Sequence, residues 1–321
     1  MRAGYLNSLV ELCCRKYVAI QNFGLTGLGW YEMMRMRSKL FVPGSRPELF
    51  QKALQSEADA LSFDLEDAVS EERKDEARGY VGKFLETSRD TGKAIIVRTN
   101  PVSSAHFEKD IQAIVSAGLD FINIPKVEDP AEIEKAEKLL VSYEQELGLN
   151  KPIGILVNIE SPKGLRRAGE LAWTGRRVAG LQIGYGDLCS PLGIDRREVA
   201  AIQHVMFAVR MAAGEAGVMA LDGAFTDVAD LDGFIAEAEL AKRMGFAGKS
   251  CIHPTQIDSA NLVFRPSEAD IAYSLKVLKK LESAEMRGVG AFVVDGQMVD
   301  APLFERANSI IQTARKLGLI E

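Results

Sequence analysis

The sequence predicts an α/β chain closed into a single (β/α)₈ barrel with a C-terminal extension. Three observations support this. Short apolar or β-branched runs alternate with longer amphipathic segments, eight such runs occur before Pro266, and no GxGxxG or GxxxxGK[ST] loop follows any of them. Alternating strands and helices imply parallel pairing through helical crossovers. Without those loops a dinucleotide or P-loop fold lacks its signature. Eight parallel repeats are best satisfied by closure.

The eight runs, in order, are Leu40–Val42, Ala60–Asp64, Ala94–Arg98, Phe121–Pro125, Ile153–Ile159, Val178–Ile183, Val218–Leu221 and Lys249–Ile252. Charged, helix-patterned stretches separate them, among them Glu71–Leu85, Pro130–Leu147 and Asp230–Met244. From Pro266 the repeat stops. A helix pattern over Ser267–Ala284 leads to a strand-like Phe292-Val293-Val294, a turn at Asp295-Gly296 and a last helix from Pro302 to Leu317. The expected organisation is a barrel domain over 37–265 and a lid or subunit contact over 266–321. Residues 1–36 are expected to be an appendage. Tyr17–Tyr31 carries no charge but is broken by Gln21, Asn22 and glycines, a poor hydrophobic segment for a secretory signal.

Bulk composition narrows the function classes. A 47% hydrophobic, 26% charged chain of 321 residues can bury a substantial core. The net charge of −6 and pI near 5.4 argue against wholesale nucleic-acid binding, which needs a basic footprint. No run of about 18 apolar residues predicts a membrane span. Cys13 and Cys14 are adjacent, while Cys189 and Cys251 stand far apart without metal-ligand spacing, a pattern of reduced thiols in a cytoplasmic protein.

The strand ends carry the chemistry. In this register they deliver Asp64, Glu66 and Asp67; Arg98 and Asn100; Pro125 and Lys126; then Glu160, Asp187, Asp222 and His253. In a barrel these ends meet on one rim, where active sites sit. Glu160 and Asp187 follow consecutive strands, and adjacent strands lie about 4.8 Å apart. Two carboxylates without a nearby His or Cys suit Mg²⁺, which keeps waters and substrate oxygens in its other positions. The alternative for each is a helix cap or a pair with a rim arginine. Arg98 ends its strand and offers a planar fork for a carboxylate, unless it pairs internally with Asp64 or Glu66. His253, in Cys251-Ile252-His253-Pro254, either faces a ligand or starts a helix at Pro254. His106 and His204 fall in helix-patterned stretches as bystanders. Neither Ser nor Cys occupies a nucleophile elbow, so a covalent acyl-enzyme has no support.

These motifs resemble the citrate lyase β-subunit / HpcH-HpaI aldolase family, especially its stand-alone acyl-CoA lyases, over residues 37–317. The matching stretches are Arg37–Pro47 (RSKLFVPGSRP), Phe63–Val69 (FDLEDAV), Val97–Pro101 (VRTNP), Pro125–Glu128 (PKVE), Ile159–Leu165 (IESPKGL), Gly184–Leu188 (GYGDL), Leu221–Asp227 (LDGAFTD), Gly248–Gln256 (GKSCIHPTQ) and Val294–Pro302 (VDGQMVDAP). The resemblance implies a TIM barrel of the phosphoenolpyruvate/pyruvate type, assembled as a homotrimer or homohexamer. It implies Mg²⁺ on Glu160 and Asp187, and Arg98 on the substrate carboxylate. Asp64, Glu66 and Asp67 would surround metal-bound water, and Asp67, Lys126, His253 and Arg46 would contribute substrate contacts. Asp300, in the C-terminal motif, would reach a neighbouring subunit's site and handle a proton.

The implied reaction cleaves or forms a malyl-, citramalyl- or citryl-like acyl-CoA, giving a 2-oxo acid and acetyl-CoA. The alternatives are a class II pyruvate aldolase acting without CoA, an acyl-CoA thioesterase, and a non-catalytic subunit of a lyase complex. Gly186 stands where many relatives have Glu, Pro191 where many have Asp, and Ser-Pro-Lys where Thr-Ala-x is usual. The loss of acidic groups beside the presumed ligands points to a shifted substrate preference.

Overall fold

The computed structural model describes residues 36–88, 91–282 and 290–321. The proposed appendage, with Cys13 and Cys14, lies outside them. The chain divides into two compact units, the first ending at Val263 and the second spanning Phe264–Glu321.

In the first unit eight parallel strands close into a barrel in sequence order. They are β1 (Ser38–Pro43), β2 (Ala60–Asp64), β3 (Ala94–Arg98), β4 (Phe121–Ile124), β5 (Gly154–Ile159), β6 (Val178–Ile183), β7 (Met219–Asp222) and β8 (Gly248–Cys251). Closure comes from β1 pairing with β8, Ser38 opposite Lys249. All eight predicted runs are strands, three with both ends as predicted and five with ends shifted by one or two residues. The shift at β1 matters most, because Ser38 and Lys39 belong to the strand and are buried.

The helices show why the periodicity was readable. They run α1 (Phe50–Leu54), α2 (Lys74–Thr87), α3 (Phe107–Ile114), α4 (Pro130–Glu146), α5 (Pro162–Arg166), α6 (Ala168–Trp173), α7 (Tyr185–Cys189), α8 (Val199–Ala216), α9 (Leu231–Arg243) and α10 (Ile257–Phe264). On α2, Ala77, Val81, Phe84 and Leu85 recur at helical spacing and are buried. Phe84 meets Phe50 and Phe63 with ring centroids 5.2 and 4.9 Å away, an aromatic cluster between α1, α2 and β2. Asp129 and Glu132 form a reciprocal capping box at the start of α4, with Pro130 in its first turn. Gly217, left-handed at φ 67°, ends α8.

The barrel interior is layered. Its lower part is hydrocarbon, with Ala60, Ile96, Phe121, Leu156 and Met219 in one buried cluster. Lys39, Asn123, Asn158 and Gln182 are also fully buried, on β1, β4, β5 and β6.

The second unit contains α11 (Glu268–Glu282), the strands β9 (Phe292–Val294) and β10 (Gln297–Val299), and α12 (Ala301–Lys316). The two strands pair antiparallel around Asp295 (φ 50°) and Gly296 (φ 81°). Two left-handed residues are what a two-residue hairpin turn requires. Val277, Phe292, Val294, Val299 and Ala307 form this unit's own core. The end of the predicted Ser267–Ala284 helix lies outside the described residues.

Candidate active site

The C-terminal strand ends gather charge in a specific pattern. Asp64 and Arg98 are register partners on β2 and β3. The Arg98 Nε and Nη2 donate to the two Asp64 oxygens at 2.7 and 2.6 Å. The same oxygens accept the backbone N–H groups of Glu66 and Ala68 at 2.9 and 3.1 Å. Four donors fill the four lone-pair directions of a carboxylate. Asp64 is thereby fully engaged as the seat of Arg98. Burial alone would raise its pKa. The bonds and charge of Arg98, with the two backbone donors, hold it below the usual carboxylate range.

Arg98 is thus engaged internally, as the alternative reading allowed. Its Nη1 lies 2.9 Å from Glu66 Oε2 and 3.6 Å from Asp67. The Glu66 contact is electrostatic only, since that oxygen is buried without a hydrogen-bond partner. The guanidinium also lies over the Phe41 ring, 5.2 Å from its centroid.

Lys126 links this group to Glu160. It has a left-handed backbone (φ 55°), which is strained for a side chain that large. That geometry aims its backbone N–H at Glu160 Oε1 (2.6 Å) and its Nζ at Glu66 (2.5 Å) and Asp67 (3.4 Å). Burial pulls the Lys126 ammonium down. The bond to Glu66, with the charges of Glu66, Asp67 and Asp187, outweighs that and raises it.

Glu160, just past β5, is buried. Its Oε2 has one long donor, Asn158 Nδ2 at 3.3 Å. Gly184 makes the room for it, since a Cβ there would lie 2.2 Å from Oε2. Burial, then the charge of Glu66, and further the charge of Asp187, push the Glu160 carboxyl up to about 7 against the pull of Lys126 and Arg98. Asp187, in α7 after the adjacent strand β6, is exposed. Its loop is anchored by Tyr185, whose hydroxyl donates to buried Asp222 at 2.8 Å. Asp222 also pairs with Lys249 at 2.6 Å. Of the expected rim groups, Asp222 is therefore an anchor. So is Asn100, whose amide groups donate to Asp110 at 2.8 Å.

Among the described residues no group of three or more His, Cys, Asp or Glu is gathered as a metal site. The donor set at Glu160 nevertheless fits a hard cation. Two carboxylates of adjacent strands repel one another, one is buried with a poorly served oxygen, and no soft ligand intervenes.

Other predicted residues are less committed. Arg46 pairs with Glu48 at 2.7 Å on the surface. His253 is exposed, precedes Pro254 and bonds Thr255 Oγ1 through Nδ1 at 2.9 Å. His106 bonds Glu71, and His204 is exposed on α8. Asp300, in the second unit, occupies the N-cap position of α12, yet its side chain makes no capping bond. Sequence reasoning does not find Lys39, Asn123, Asn158 and Gln182. For the three amides the available signal is a lone polar residue inside an otherwise apolar strand, as in Phe-Ile-Asn-Ile and Leu-Gln-Ile, whereas Lys39 sits beside Ser38 ahead of the apolar run.

Comparison with known proteins is consistent with this layout. Residues 37–254 match the family model described as HpcH/HpaI aldolase/citrate lyase. The chain is 35% identical to the citrate lyase subunit beta of Leuconostoc mesenteroides subsp. cremoris, covering 89% of this chain and 95% of the relative. It is 32% identical to an L-malyl-CoA/beta-methylmalyl-CoA lyase of Cereibacter sphaeroides, covering 88% and 95%. The CitE protein of Mycobacterium tuberculosis, solved with magnesium, acetoacetate and coenzyme A, superposes with a TM-score of 0.70 at 30% identity, covering 88% and 99%.

Proposed function

The chain belongs to the HpcH/HpaI aldolase/citrate lyase family, and from that premise we propose that it is a Mg²⁺-dependent carbon–carbon lyase acting on a carboxylated 3-hydroxyacyl-CoA. Malyl-, citramalyl- and citryl-CoA are the substrate types, and the products are a 2-oxo acid and acetyl-CoA. The observation that carries the reading is the pair Glu160 and Asp187 on adjacent strand ends, beside the Arg98 and Lys126 cations. Lyases of this family and a CitE structure holding magnesium and coenzyme A support it.

Glu160 and Asp187 would hold the Mg²⁺. Bound there, the ion supplies Lewis-acid stabilisation to the oxygens of the oxo-acid half. Asp64 fixes the Arg98 fork, and the remaining Nη hydrogens of Arg98 bind the substrate carboxylate in place of Glu66. Lys126 holds Glu66 and Asp67 at the mouth of the site, with His253 and Arg46 on the CoA side. As the carbon–carbon bond breaks, the hydroxyl gives its proton to water at the mouth of the site and becomes the 2-oxo group. The bonding pair passes to the thioester α-carbon as an enolate, which takes up a proton to give acetyl-CoA. Asp300, uncommitted to its helix, is the proposed proton donor, delivered from a second subunit of a homotrimer or homohexamer.

The test is a panel of CoA thioesters and of free hydroxy-oxo acids, incubated with Mg²⁺ and analysed for products. Paired formation of acetyl-CoA and a 2-oxo acid from a thioester is expected. Pyruvate from CoA-free substrates alone would make the chain an aldolase. Release of CoA without carbon–carbon cleavage would make it a thioesterase.

A further inference from the structure

Three polar side chains inside the barrel form a directed chain that ends on Glu160, and a fourth, Gln182, branches from its first member. Lys39 Nζ donates to Asn123 Oδ1 at 2.7 Å and to Gln182 Oε1. Asn123 Nδ2 donates to Asn158 Oδ1 at 2.7 Å, and Asn158 Nδ2 donates to Glu160 Oε2 at 3.3 Å. Lys39, Asn123 and Asn158 are fully buried or nearly so, on β1, β4 and β5. A buried polar side chain costs several kcal/mol unless it is bonded, so four of them in a barrel interior call for a reason.

The direction of the chain follows from chemistry. As an ammonium, Lys39 faces Asn123 and Gln182 only as a donor, and both side chains turn an oxygen to it. The Asn123 oxygen must therefore face Lys39, which turns the Asn123 amide nitrogen toward Asn158. Asn158 must then turn its own nitrogen toward Glu160. The Asn123 nitrogen also donates to the Leu156 carbonyl at 3.2 Å, so Lys39 and that carbonyl hold the same orientation. Reversed, Asn123 would aim its nitrogen at the ammonium, and Asn158 would be left to present an oxygen to the Glu160 carboxylate.

We propose that Lys39 is a positioning residue which, through Asn123 and Asn158, orients the Glu160 carboxylate for its cation. The proposal rests on reading Glu160 as a metal carboxylate. Partners of this outer kind change metal affinity by about 10–100-fold when removed.

The decisive variant is Asn123→Asp. It keeps the shape, gives Lys39 an ionic partner and leaves the barrel filled. Its second oxygen can only accept, so Asn158 must turn its nitrogen inward and its oxygen toward Glu160. An added negative charge by itself would strengthen cation binding, whereas reversal of the relay weakens it. The two accounts differ in sign.

Mg²⁺ affinity is measured by calorimetry on the full chain, with thermal unfolding as the check on folding. For Asn123→Asp the affinity should fall about tenfold with the unfolding midpoint held. Lys39→Met should show a similar loss. Combined with Asn158→Leu, it should add nothing to the loss from Asn158→Leu alone, since both cut one chain. If Lys39→Met does not fold, the Asn123→Asp result decides. Unchanged or tighter Mg²⁺ binding in folded Asn123→Asp overturns the proposal. Glu160→Ala separates the two readings. If it abolishes Mg²⁺ binding while Asn123→Asp does not weaken it, only the relay fails. If Glu160→Ala binds Mg²⁺ normally, the metal reading fails and the relay with it.

Discussion

At the scale of single residues, the central pair is Arg98 with Asp64. One edge of the guanidinium is locked to a carboxylate whose every lone pair is engaged. Asp64 thus acts as the rigid seat of Arg98. Arg98→Lys should lower kcat/KM by at least about tenfold, because a point ammonium cannot hold Asp64 on two oxygens and still meet a substrate carboxylate. Steady-state kinetics decide it, and near-normal values would remove Arg98 from recognition. Asp64→Asn should destabilise the fold by about 3 kcal/mol in denaturant titrations, since a largely buried guanidinium loses its two-pronged ionic partner and keeps only Glu66 and Asp67 on its other edge. A pH dependence accompanies this. The folded Asp64 carboxyl lies below its usual range, so its stabilisation is complete above the unfolded value near ~3.9 and is lost as pH falls through the folded value. Asp64→Asn should therefore lose less stability than the parent on acidification below about pH 4. An equal loss in both would show that the pair carries no such linkage. The sequence named Arg98 and its two rival partners, but choosing between them needs the β2–β3 register, which sequence spacing does not supply.

At the scale of elements, the site depends on strand ends and on the close packing behind them. Gly184 follows β6, where a Cβ would lie 2.2 Å from Glu160 Oε2 and 2.6 Å from its Cβ. Gly184→Ala should therefore displace Glu160 and abolish Mg²⁺ binding, measured by calorimetry. Retained affinity would mean that the carboxylate can move aside without loss. The barrel strands were legible because each is a buried apolar run bounded by polar residues. The strand β10 was not, since Gln297 and Met298 are exposed and no apolar run marks it. Lys39 was read as polar sequence ahead of β1 for a related reason. A lysine is almost never fully buried unless paired, and its partners Asn123 and Gln182 lie 84 and 143 residues away. Pattern shows where a strand runs. It does not show that four strands contribute polar groups to the same interior.

At the scale of the whole molecule, the proposed chemistry joins residues of two chains. Mixing Asp300→Ala with Glu160→Ala under conditions of subunit exchange should restore activity, because some sites in mixed oligomers would hold both intact residues. No recovery despite proven exchange would mean that Asp300 serves its own chain. The barrel itself poses a problem of timing. Its seam joins β1 to β8, with Ser38 opposite Lys249 and Lys39 opposite Ser250, so contacts that are neighbours in space are among the most distant in sequence. Such contacts are slow to form, and until they do, β1 and β7 are open edges able to pair with other chains. During synthesis from the N-terminus, β1 leaves the ribosome long before its partner exists. Stalled nascent chains that end before Gly248 should be digested readily by protease, and resistance should rise once β8 has cleared the exit tunnel. Early resistance would mean that the open sheet is stable by itself. Otherwise the seam is a waiting time imposed on every molecule made, during which protection of the unfinished sheet falls to whatever meets it at the tunnel mouth.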